Sequence, residues 1–279
     1  MVAPSTRKVA EFIEHTLLKP EATYDEVMTL CEEALAHGFV GVCVNGANVR
    51  VVSNRLAGSG VKTVAVVGFP LGAMSARAKA YETKEAVRDG ADEVDVVINV
   101  GALKDRRASV VLEDLRGVVE AASSRPVKVI LETAKLTDEE KVIGCCLAAA
   151  AGAAFVKTCT GFGGGKATPD DIALMRRTVG DSLGVKASGG VRTLDDLLAL
   201  LQAGATRVGT SASVAMVTAG RPREVEDATT TDATATDATG VSCATVAVGP
   251  RSAAVVSASA ATSPEHLRVS ERTCGGDSA

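Results

Sequence analysis

Two hydrophobic rhythms take turns along the first 220 residues. Over 25–37, Val27, Leu30, Cys31 and Ala34 recur at helical spacing, and comparable amphipathic stretches run over 75–89, 109–123, 138–151, 169–179 and 193–203. Between them lie short apolar runs of strand length: FIEHTL (12–17), FVGVCV (39–44), VKTVAVVGF (61–69), ADEVDVV (91–97), VKVILE (127–132), AAFVKT (153–158), GVKAS (184–188) and ATRVGT (205–210). Glycines punctuate the passage from helix to strand. Gly38, Gly90, Gly152 and Gly204 each end an amphipathic stretch and stand where a left-handed residue closes a helix. Their spacings of 52, 62 and 52 residues fit two βα units each. Eight strands in strict alternation with helices predict a parallel sheet closed into an α/β (β/α)8 barrel, a TIM barrel, over residues 1–221. An open doubly wound sheet is the competing arrangement. It calls for a glycine fingerprint after the first strand, and TLLKPEATYD carries none.

The pattern stops near residue 222. In 222–279, Ala, Ser and Thr supply 28 of 58 residues, with a single Leu and no Phe, Tyr, Ile, Met or Lys. Such a segment buries too little to offset the entropy of ordering, so 222–279 reads as a low-complexity, disordered tail. It carries eight acids and four arginines; of the 34 acids and 30 bases in the chain this leaves 26 of each for 1–221. An electrically neutral body offers no footprint for nucleic acid. The polar opening residues and the lack of a long apolar run predict neither membrane span nor signal peptide, hence a cytoplasmic location. Seven cysteines without framework spacing predict reduced thiols, with Cys43 and Cys159 as inert core groups.

Charges inside the strands carry the chemistry. Alternate residues share a face, so Val94, Val96 and Ile98 face the helices while Glu93, Asp95, Val97 and Asn99 face the other way, with Asp95 aimed into the barrel. The same rule groups Phe155, Lys157 and Cys159, and Gly184, Lys186 and Ser188. Lys157 and Lys186 end neighbouring strands, at the mouth where barrel sites assemble. Strand-end lysines can simply reach solvent, with Asp95 as their partner. Two of them before Gly- and Ser/Thr-rich loops fit another chemistry better, since burial and a second cation can leave one amine neutral near pH 7 and able to attack a carbonyl. Ser188-Gly189-Gly190 and Gly209-Thr210-Ser211 follow the last two strands, where small residues let backbone N–H groups approach a phosphate. Thr168-Pro169 reads as a helix cap with proline at the first turn. Metal chemistry finds little support, because His15, His37 and His266 are the whole histidine complement; His15 reads as structural or substrate-orienting.

Taken together, IEHTLLKP (13–20), VCVN (42–45), VVGFPLGA (66–73), DEVDVVINVGALK (92–104), KVILET (128–133), FVKTCTGFGGG (155–165), VKASGGVRT (185–193) and GATRVGTSA (204–212) resemble the deoxyribose-phosphate aldolases of the DeoC family over residues 8–220. The resemblance implies Lys157 as the Schiff-base nucleophile, Lys186 as the amine that tunes it and Asp95 as the proton-relay carboxylate, with Gly189, Gly190, Gly209 and Ser211 at phosphate-contacting positions. It implies cleavage of 2-deoxyribose 5-phosphate to acetaldehyde and glyceraldehyde 3-phosphate, in deoxynucleoside catabolism, without metal or cofactor, and a homodimer is compatible with it. Glu14 stands where that family more often has Asp, Gly46 where Pro is usual and Cys159 where Ser is common. Two alternatives stay open: a Schiff-base barrel aldolase for another sugar phosphate, and an inactive barrel that binds sugar phosphate.

Overall fold

Helix starts and stops follow local chemistry. Thr23 and Thr137 form capping boxes with Glu26 and Glu140, and Thr168 accepts from the Asp171 N–H with Pro169 in the first turn, satisfying amides that a helix start leaves open. Gly38, Gly90, Gly152 and Gly204 all have positive φ, between 67° and 109°, at the turn from helix to strand. The chain is described by a computed structural model covering residues 6–218 and 224–226.

Strands β2 (Ile13–Leu17), β3 (Gly41–Val44), β4 (Lys62–Val67), β5 (Glu93–Val97), β6 (Val127–Ile130), β7 (Phe155–Lys157), β8 (Gly184–Ser188) and β9 (Arg207–Thr210) pair in parallel, and β9 returns to β2 to close the barrel. The eight strands expected from the sequence are all present, each within its expected stretch. The expected helices appear as α1 (Tyr24–His37), α3 (Ala76–Arg88), α5 (Ala108–Ala121), α6 (Asp138–Ala151), α7 (Pro169–Val179) and α8 (Leu194–Gln202). Shorter helices α2 (Val49–Leu56), α4 (Val100–Lys104) and α9 (Ser213–Thr218) add to them. Asn99, grouped by strand alternation with Asp95, lies beyond β5 and caps α4 through the Ala102 N–H.

A three-residue strand β1 (Thr6–Lys8) pairs antiparallel with β10 (Glu224–Glu226). Glu224–Glu226 belong to the stretch 222–279 read as a tail; the rest of that stretch, 222–223 and 227–279, lies outside the described residues.

The main core fills the space between strands and helices, with Val42, Val94, Val96, Val129, Val156, Val185 and Val208 as its strand side. Inside the barrel the picture differs. Leu18, Cys43, Val64 and Val66 form a small apolar cluster beneath Phe69 on one side. Alongside Val97 and Ile130 the inward layer carries the charged residues Glu14, Glu93, Asp95, Lys128, Lys157 and Lys186, whereas such interiors are usually dominated by branched aliphatics.

Candidate active site

Strand register builds the centre. Asp95 on β5 stands opposite Lys128 on β6, and Lys157 on β7 stands opposite Lys186 on β8. Val94 and Val96 take the helix-facing positions, so Asp95 points inward and is fully buried. Its Oδ1 accepts from Lys128 Nζ at 2.8 Å, and its Oδ2 accepts from Lys157 Nζ at 2.7 Å and Lys186 Nζ at 2.6 Å. The three expected residues therefore meet at one carboxylate. Thr158 and Ser188 hold the ends of β7 and β8 together: Thr158 Oγ1 donates to the Ser188 carbonyl at 2.8 Å and accepts from the Ser188 N–H at 2.9 Å.

The centre is larger than a pair of lysines and one acid. Glu14 on β2 bonds Lys186 and Arg207, with Nη1 of Arg207 at 3.2 Å, and lies 3.5 Å from Lys128 Nζ. Glu93 pairs with Lys128 at 2.6 Å and with Arg207 at 3.4 Å. Phe155 turns its ring toward both Lys128 and Arg207, 5.8 and 5.7 Å from its centroid. It lies over Gly184, where any Cβ would come within 2.1 Å of the ring.

Burial and charge oppose each other throughout. Burial would raise the Asp95 carboxyl, but Lys128, Lys157 and Lys186 hold it well below the usual carboxylate range. Glu14 is likewise lowered, because Lys128 and Lys186 outweigh burial and the nearby Asp95. Burial would depress Lys128 and Lys186, yet Asp95 and Glu14 raise both above an ordinary lysine. These two are held as ammonium ions.

Lys157 differs by position. It lines a cavity of about 340 Å³ at the mouth together with Gly189, Gly190, Gly209 and Ser211, the four expected phosphate positions, and with Arg192. Lys128 and Lys186 are fully buried beneath it. Gly209 has a second task, since an added Cβ would lie 3.0 Å from Lys186 Cε.

The remaining candidates sit elsewhere. His15 points out of the barrel, bonded to Ser213 Oγ at 2.9 Å and Glu33 Oε2 at 2.7 Å, and so joins β2 to α9 and α1 in a structural role. Burial pushes the Cys43 and Cys159 thiols up, and Cys159 Sγ meets Thr133 Oγ1 at 3.3 Å. At Gly46 an added Cβ would meet nothing within 4 Å, so space does not require glycine there.

Glu14, Cys43 and Asp95 place donor atoms within 4.8 Å of one another. This set suits ammonium better than a metal ion: both carboxylates already hold Lys186, and the thiol retains its proton.

Alternation along VKVILE and ATRVGT could have placed Lys128 and Arg207 inside, but a lone base in a strand has no recognisable partner in the sequence. Glu132 was equally hidden. Its backbone is left-handed at φ 60°, and its buried carboxylate accepts from Thr160 Oγ1 at 2.6 Å, anchoring the loop that carries Gly161 and Phe162 into the mouth.

The sequence model of the DeoC/LacD family aldolases matches residues 9–244. A deoxyribose-phosphate aldolase of Streptococcus sanguinis is 55% identical over 210 residues, 75% of this chain and 96% of that protein. Among solved structures, a putative deoxyribose-phosphate aldolase from Coccidioides immitis superposes with a TM-score of 0.74 at 42% identity, covering 76% of this chain and 85% of the other. The tetrameric deoxyribose phosphate aldolase from Aeropyrum pernix gives 0.69 at 33% identity, with 74% and 88% covered.

Proposed function

The chain belongs to the DeoC/LacD family of aldolases, and on that premise we propose that it cleaves 2-deoxyribose 5-phosphate reversibly to acetaldehyde and glyceraldehyde 3-phosphate through an imine at Lys157. One observation carries the assignment of the nucleophile: of the three lysines on Asp95, Lys157 is the one that opens into the mouth cavity.

The substrate's phosphate lies against Gly189, Gly190, Ser211 and Arg192, where backbone amides and a guanidinium offer donors. Its aldehyde carbon then reaches Lys157. The neutral amine adds to that carbon, and the carbinolamine takes up one proton from water in the mouth as it loses water, leaving an iminium. The C2–C3 bond breaks with its electron pair drawn to the iminium nitrogen, giving an enamine, while the C3 hydroxyl gives up its proton and becomes the aldehyde of glyceraldehyde 3-phosphate. Proton transfer on the enamine carbon regenerates an iminium, and water releases acetaldehyde. Asp95 is the acceptor poised for these proton movements, at 2.7 Å from the reacting nitrogen. Lys186 holds that carboxylate in place and keeps it ionised. Self-association as a homodimer and a cytoplasmic location complete the proposal. The tetrameric structure of the Aeropyrum pernix relative supports the first as self-association, without favouring two copies over four. The second is supported by the fact that, among the described residues, no helix is long and apolar enough to cross a membrane.

Acetaldehyde followed by borohydride should leave an ethyl group on Lys157, read by peptide mass spectrometry. Labelling of other lysines with Lys157 unmodified would refute the assignment.

A further inference from the structure

The buried network has more bases than acids. Glu14, Glu93 and Asp95 face Lys128, Lys157, Lys186 and Arg207, three carboxylates against four cations in continuous contact. From the other elements of the barrel wall, β3 contributes the Cys43 thiol and β4 contributes Val64 and Val66, with Lys62 exposed at its start. The imbalance therefore stands uncompensated within the barrel wall.

We propose that Arg207 is a positioning residue of the reaction, whose permanent charge, delivered through Glu14 and Glu93, lets the lysine network give up one proton at neutral pH. Guanidinium does not deprotonate in proteins, so its charge is constant while the lysines titrate. It occupies Glu14 and Glu93, the carboxylates that otherwise belong wholly to Lys128 and Lys186. With Arg207 present, loss of one proton takes the network to neutrality. Without it, three lysines balance three carboxylates, and losing a proton would strand a negative charge in a buried site. The proton leaves from Lys157, which has one carboxylate partner and opens to the cavity, whereas Lys128 and Lys186 hold three and two carboxylates. Arg207 pairs with Glu14 and Glu93 rather than Asp95 and is not among the residues that line the cavity, and its side chain is 16% exposed.

This inference rests on Lys157 as the imine-forming residue, and its test separates the two. The pH profile of kcat/KM for deoxyribose 5-phosphate, and of borohydride trapping with acetaldehyde, is measured for the native chain, Arg207→Gln, Arg207→Lys, Glu93→Gln and the Arg207→Gln/Glu93→Gln double variant, with thermal melts as controls. Removing the cation should move the acid limb of Arg207→Gln up by about one pH unit, with activity recovering at alkaline pH. Removing an anion should move Glu93→Gln the opposite way. Arg207→Lys should track the native profile, and the double variant should return toward it. A loss by the same factor at every pH in Arg207→Gln, or an alkaline shift in Glu93→Gln, overturns the inference. Should Arg207→Gln not fold, the direction of the Glu93→Gln shift decides. A native chain that neither cleaves the substrate nor traps acetaldehyde at Lys157 overturns the reaction assignment as well; native cleavage with label at Lys157 and unmoved variants overturns this inference alone.

Discussion

Asp95 accepts from the Nζ groups of three lysines with two oxygens, and those lysines stand on the successive barrel strands β6, β7 and β8. Its carboxyl is held well below the ordinary value near ~3.9. A depressed folded value means the stability it contributes is present above that ordinary value and is lost as pH falls toward the folded one. Asp95→Asn should therefore cost about 3–5 kcal/mol at pH 7, the usual consequence of leaving buried charges unpaired. The difference from the native chain should shrink in urea melts taken below about pH 4. Activity should fall by about 10²–10⁴-fold, the range expected when a positioned acid–base group is removed. A variant as stable as the native chain at pH 7 would contradict the network.

At the scale of elements, α3 and α5 pack through a buried ion pair outside the barrel. Lys79 Nζ donates to Asp114 Oδ2 at 2.6 Å and to the Val97 carbonyl at 2.9 Å, so the end of β5, two residues past Asp95, is gripped by the helix layer. Burial outweighs Lys79 and pushes the Asp114 carboxyl up, and its Oδ1 has no hydrogen-bond partner. The pair thus orients more than it stabilises. Lys79→Met should lose about 3–5 kcal/mol in denaturant unfolding, while Lys79→Met/Asp114→Leu should recover most of that loss because no unpaired charge is left. A double variant no better than the single one would show that the pair is a net source of stability. The elements themselves were legible beforehand: capping threonines, helix-ending glycines and apolar runs are local signals, and they located the eight strands within a few residues. The short α4 was not, because its cap, Asn99, fits an inward strand position equally well by alternation.

For the molecule as a whole, closure is complete once β9 pairs with β2 through Ile13–His15 and Val208–Thr210. Nothing after Thr210 is required to finish the barrel. A chain ending at residue 226, which retains the β1–β10 pair, should melt within about 2–4 °C of the full chain, equivalent to about 1 kcal/mol at this size. A larger drop by calorimetry would place residues after 226 among the barrel's supports.

Eight alternating units, an inward Asp95 and two lysines on adjacent strands were all determined by the sequence, because strand periodicity and helix punctuation depend on near neighbours in the chain. The company those residues keep was not. Lys128 sits 33 positions from Asp95, and Arg207 sits 193 from Glu14. A base in a strand looks the same whether it faces solvent or an acid from across a barrel. Tertiary closure decided that Lys128 and Lys186 are sealed beneath the cavity while Lys157 opens to it, and that four cations share three carboxylates. Charge balance is a sum over groups that only the closed barrel brings together.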